Sequence, residues 1–174
     1  MNIGDDNSFS FGNGECAVKI ENIDDLIRKS ITELNQKGLF LNRVFMGNFN
    51  GANLYVDTDL PFGAAYTLPG VGIHIDVRTH QDYIGTDQQK EQEAIQLLKH
   101  EFGHILQATK YGKPHFYLLI APVSLISAAT TGQHQCTWTE IEANLLALDY
   151  YCKSFNDCFW NSSDYPVSEF DCSN

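Results

Sequence analysis

His100-Glu101-Phe102-Gly103-His104 is the stretch on which the reading of this chain turns. Its pattern is H-E-x-x-H. On a helix, side chains four residues apart share a face, so both imidazoles can address one ion. Glu101 stands beside them and can take a proton from water held by that ion, the arrangement used by zinc hydrolases. The surrounding residues supply the helix. Periodicity predicts it over 87–111, with Thr86 or Asp87 as its cap, Glu91 and Glu93 near the positive end of its dipole, and Gly112 and Pro114 as stops. Ile95, Leu98, Phe102, Ile105 and Leu106 form a core-facing stripe, and Leu97, His100, His104 and Gln107 line the adjacent face. Gly103 costs about 1 kcal/mol against alanine in such a helix, a cost that a close neighbour, backbone or metal ligand, would explain.

Towards the N-terminus, residues 1–19 read as a loose leader rich in Asn, Ser, Gly and Asp, and 24–37 as an amphipathic helix stopped by Gly38. Residues 39–78 read as strands and turns, with strands over 43–46, 54–56, 64–68 and 71–77. In the last of these Val71, Ile73, Ile75 and Val77 alternate with Gly72, His74, Asp76 and Arg78, the pattern of a half-buried strand. Lying just before the H-E-x-x-H helix, it is placed to hold an extended peptide by strand addition if it is an edge. His74 and His80 read as strand-face or surface residues.

Towards the C-terminus, 115–129 is apolar nearly all round, which predicts a buried helix that Pro122 kinks or divides. A polar loop with His134 follows. A final helix is predicted over 139–153, with Ile141, Leu145, Leu148 and Cys152 as its core stripe and Glu140, Asn144, Ala147 and Tyr151 on another face. The tail, 154–174, is aromatic and rich in turns, without periodicity.

The chain has 174 residues and is 43% hydrophobic, enough for one packed domain, expected over 20–174. A formal net charge of −11 with no basic patch argues against nucleic acid as a partner. Five cysteines leave one unpaired within a single chain. Three of them, Cys152, Cys158 and Cys172, could staple the tail or stay free thiols. The longest apolar run is too short to span a bilayer, so no transmembrane segment is expected. Residues 1–10 lack the basic and apolar regions of a signal peptide, which leaves a cytoplasmic chain, a non-classical route of export, or a piece of a larger protein.

A catalytic zinc takes three protein ligands and keeps one position open. The candidates for the third are Glu140, Glu142, Asp149, His115 and His134. The extension H-E-x-x-H-x-x-G-x-x-H fails, because Gln107 and Lys110 hold its glycine and histidine positions. A capping box Thr139-x-x-Glu142 would occupy Glu142 and leave Glu140 for the metal, whereas a box Thr137-x-x-Glu140 would reverse that assignment. Asn144, one turn after Glu140, could hold a ligand imidazole by its outer nitrogen. Donors for a developing oxyanion could come from His134, His115, Tyr111, Tyr66 or Tyr83, and the sequence does not choose among them.

With these residues in place, the chain resembles the zincin metallopeptidases that use a glutamate as third ligand. Glu140-Ile141-Glu142-Ala143-Asn144 is similar to the E-x-x-A-D segment of the membrane-associated CAAX-protease and heat-shock-protease families, with Asn144 where they have aspartate. A nearer resemblance, over about residues 95–151, is to zincin-like domains at the C-terminal ends of Rhs-repeat and other polymorphic-toxin proteins of Bacteroidetes-type bacteria. It is carried by the run from His100 to Gln107, Tyr111-Gly112, the apolar segment from Ala121 to Ser127, and Trp138-Thr139-Glu140-x-Glu142-Ala143-Asn144. The resemblance implies an α+β, zincin-like fold in which a small antiparallel sheet packs on the H-E-x-x-H helix and further helices. It implies a zinc metallopeptidase with His100, His104 and Glu140 as ligands, Glu101 as general base and a peptide or protein as substrate. It also implies a secreted effector or toxin domain, with a cognate immunity or carrier protein as partner. The rival expectation is a binding or structural module that contains a metal without catalysis.

Overall fold

The computed structural model describes residues 42–172. The leader over 1–19, the helix over 24–37 and Cys16 lie outside the described residues.

Four strands form one sheet: β1 (Arg43–Phe49), β2 (Ala52–Asp57), β3 (Ala65–Leu68) and β4 (Gly72–Ile75), in the order β1-β2-β4-β3. Asn50 and Gly51, both at positive φ, make the tight turn that returns β1 onto β2. The expected antiparallel sheet is in fact mixed. β1–β2 and β3–β4 are antiparallel, but β2 and β4 run parallel. The chain crosses to the far side to make β3, then turns at Pro69-Gly70 and slots β4 between β3 and β2.

This topology corrects the reading of 71–77 as a single strand beside the helix. Ile75 ends β4, and Asp76 caps a short helix, α1 (Val77–Tyr83), by accepting from the amides of Arg78 and Thr79. β4 is interior, and among the described residues the edge strands are β1 and β3. His74 and His80 are both buried, not on the surface.

The H-E-x-x-H helix is α2 (Gln88–Tyr111), capped by the Asp87 carboxylate and closed at Gly112. A π-helical turn (Phe116–Ile120) leads into α3 (Ala121–Thr130), with Pro122 in the first turn of α3 as the division required. The burial expected for this segment holds at Phe116, Ile120 and Ser127 but not at Leu118, Leu119, Leu125 and Ile126, which are exposed. Among the described residues no helix is long and apolar enough to cross a membrane.

The last helix, α4 (Trp138–Phe155), lies against α2. Its buried face is not the leucine stripe. Leu145 is half exposed, while Glu140, Ala143, Asn144, Ala147 and Tyr151 are buried. The cause is Gly103. A Cβ there would collide with the backbone carbonyl of Ala143, so the two helices approach along their small residues. That contact explains the glycine in mid-helix. Leu54, Val56, Ile73 and Ile75 of the sheet pack with Leu98, Phe102, Ala147 and Tyr151 to form the main core. Two disulfides, Cys136–Cys172 and Cys152–Cys158, staple the tail.

Candidate metal centre

Because α2 and α4 touch through Gly103 and Ala143, the residues one turn away on each helix are forced together. His100 Nε2 and His104 Nε2 lie 3.2 Å and 3.4 Å from the same oxygen, Glu140 Oε2. One ligand atom from each residue falls within 4.8 Å of the others, so the three could hold a metal ion. Around a tetrahedral ion with bonds of about 2.0–2.2 Å, neighbouring ligand atoms stand about 3.3–3.6 Å apart, which the separations from Glu140 nearly match.

The imidazole tautomers follow from their outer contacts. The Asn144 amide is oriented by Nδ2, which donates to the Pro166 carbonyl at 2.8 Å. Its Oδ1 therefore faces His100 Nδ1 at 2.7 Å and accepts a proton from it. In the same way Gln107 Nε2 donates to the Thr139 carbonyl at 2.7 Å, leaving Oε1 to accept from His104 Nδ1 at 2.8 Å. Each ring then turns its Nε2 towards a buried carboxylate. Lone pairs and an anion repel one another unless a cation sits among them. A proton can also supply that charge. Burial pulls the His104 pKa down, yet the hydrogen bond and charge of Glu140 carry it up to about 9. Burial pushes the Glu140 carboxyl up, but His100 and His104 together hold it well below the usual carboxylate range.

Glu142 lies elsewhere. Neither capping box forms: Thr137 is the N-cap residue and makes no side-chain cap, while Glu142 receives hydrogen bonds from Lys110, Tyr111 and Gln107. Asp149 pairs with Lys153, and His115 stacks on Tyr111. Glu101 is buried, and its Oε2 accepts from Thr67 Oγ1 of β3 at 2.7 Å. Of the five oxyanion-donor candidates, Tyr111 is taken by Glu142, Tyr66 donates to Asp57, and Tyr83 packs on Phe49. Of the five, His134 is the one whose ring comes close to Glu140. Its Nδ1 is 2.6 Å from Ser127 Oγ, and its Nε2 is 3.7 Å from Glu140 Oε2.

Two cavities meet at the centre, both lined by His100, Glu101, His134 and Glu140. The wide one, about 960 Å³, is walled by the tail, including Trp160 and Tyr165. The narrow one, about 230 Å³, is apolar and lies between β3 and α3, with Leu68, Phe116, Ile120 and Leu125 in its walls. Sequence reasoning did not single out Thr67, Gln107 or Tyr165 as parts of the centre. Gln107 had a signal, because it sits three residues after His104 on the same helical face. Thr67 and Tyr165 had none, since only tertiary structure brings them here.

No protein-family model, no curated protein and no solved structure matches the chain.

Proposed function

We propose that this domain is a zinc-dependent metallopeptidase. His100, His104 and Glu140 would hold the ion, and two nitrogens with one carboxylate oxygen form a donor set suited to zinc. The observation that carries the reading is the pair of Nδ1-protonated imidazoles facing one buried carboxylate, with Glu101 beside them at the junction of two cavities. When bound, zinc would make water acidic enough to ionise near neutral pH and would polarise a carbonyl oxygen.

The chain's own groups do the rest. Glu101, steadied by Thr67, takes the proton of the attacking water and returns it to the nitrogen leaving the broken C–N bond. His134 can donate from Nε2 to the carbonyl oxygen as it gains charge. Thr137 and Ser127 would support that tautomer if Thr137 donates to Ser127 Oγ and Ser127 donates to Nδ1. The free edge of β3 beside Glu101 offers backbone groups for an extended chain. Two open cavities favour hydrolysis over a closed, structural metal site. The two disulfides suit a chain that matures where thiols oxidise, in keeping with an exported effector domain.

Glu101→Gln tests the proposal. The variant should keep about one zinc per chain by plasma mass spectrometry while losing at least about a hundredfold in peptide hydrolysis. Unchanged turnover would remove Glu101 as the base. Absence of zinc from the wild type after incubation with the metal and desalting would remove the whole reading.

A further inference from the structure

The two cavities differ in charge as well as width, and among the described residues neither is lined by a lysine or arginine. The wide cavity adds Glu93 and Asp164 to Glu101 and Glu140, beside the aromatic rings of Phe159, Trp160 and Tyr165. Glu93 accepts from the Gln89 amide at 3.0 Å, and Asp164 from the Asn161 amide at 2.8 Å. Among the described residues neither carboxylate has a cationic partner at salt-bridge distance. Both line the same cavity as the Tyr165 ring. The wall is held firmly. Trp160 Nε1 donates to the Tyr165 carbonyl at 2.8 Å, and the buried Gln96 donates to the Phe159 carbonyl.

We infer that the wide cavity selects a peptide carrying a cationic side chain, lysine or arginine, on that side of the bond to be cut. The aliphatic stem would lie on the aromatic rings while the charged head reaches Glu93 and Asp164. Both carboxylates are exposed, so each contributes a modest electrostatic gain that salt weakens. Together with a cation–π contact they should give about a fivefold to tenfold preference over an uncharged residue of similar length. An acidic residue at that position should bind worst.

This inference rests on the peptidase reading for its substrate class, and binding separates the two. Zinc-loaded Glu101→Gln protein would be titrated by calorimetry with capped peptides identical except for Lys, Arg, Gln or Glu at one position, scanned along the chain. At one position Lys and Arg should bind about fivefold to tenfold tighter than Gln, with Glu weakest, and the gap should shrink in high salt. Glu93→Gln with Asp164→Asn should erase the gap at unchanged zinc content, and Glu93→Lys with Asp164→Lys should reverse it. Equal affinity for all four peptides at every position, a preference for Glu, or no binding overturns the inference. A cationic preference without cleavage by the wild type would leave it standing and remove the peptidase reading. Cleavage without charge preference would do the opposite.

Discussion

His104 in the cleft and His74 in the sheet are both buried, yet the molecule treats the two imidazoles in opposite ways. His104 has a partner at each nitrogen, Gln107 at Nδ1 and Glu140 at Nε2, and its pKa is carried up to about 9. His74 lies between the rings of Tyr55 and Tyr66, with centroids 4.9 Å and 4.5 Å away. Neither of its nitrogens has a hydrogen-bond partner among the described residues, and burial, with Arg43 nearby, pulls its pKa down to about 4. Burial alone drives an imidazole neutral and makes it an aromatic slab. A buried carboxylate overrides that and creates a demand for positive charge. Only the second arrangement could hold a metal ion.

The largest effect should come from cutting what the cleft depends on and the sheet does not. Cys136–Cys172 joins residues 36 apart and ties the end of the tail to the loop that carries His134. Replacing both with serine should cost about 3–4 kcal/mol by loop entropy, against about 2 kcal/mol for Cys152–Cys158, which joins residues six apart. Urea denaturation would measure both. The first variant should also bind zinc more weakly, because the tail carrying Pro166 and Tyr165 loosens. The magnetic resonance signals of His74 should not move. Unchanged zinc affinity in that variant would show that the cleft does not need the tail.

The cleft was legible where helices made it. Spacing placed His100 and His104 on one face, with Glu101 beside them, and put Glu140 and Asn144 on a face of the later helix, because a 3.6-residue period survives any tertiary setting. The leucine stripe of 139–153 misled, because hydrophobicity ranks faces by transfer energy and takes no account of how closely Gly103 lets two backbones approach. Strand order, the interior place of β4 and the tail's return over the cleft depend on contacts distant in sequence, and no local period records them. His74 does stand on a strand face, but its burial was missed for a related reason: alternation assigns a residue to a sheet face but does not say what covers that face.

A finer test divides the cleft itself. Asn144→Ala and Gln107→Ala should each weaken zinc binding by about tenfold to a hundredfold, since each removes the group that orients an imidazole. The consequences should then diverge. Asn144 also holds the Pro166 carbonyl, so its loss should speed hydrogen exchange in residues 156–172, whereas Gln107→Ala should leave the tail protected. Asn144→Asp separates the two duties. It keeps an acceptor for His100 Nδ1 and loses the donor to Pro166, so zinc affinity should largely survive while tail exchange rises. Equal tail exchange in all three variants would mean that the tail is held by its disulfides alone.

The smallest effect belongs to the sheet. Above pH 6.5, His74 is neutral whether the chain is folded or unfolded, so it adds no pH dependence. As pH falls below 6.5 the unfolded imidazole takes a proton, while the folded one resists until about pH 4. The unfolded state then binds more protons, so stability falls across that window and levels off beneath it. His74→Phe keeps a ring between Tyr55 and Tyr66 and removes the titration. With metal chelated in both proteins, the melting temperature of the wild type should fall several degrees further than that of the variant between pH 7 and pH 4. If the difference between the two proteins did not change with pH, His74 would not be held neutral by burial, and its contrast with His104 would fail.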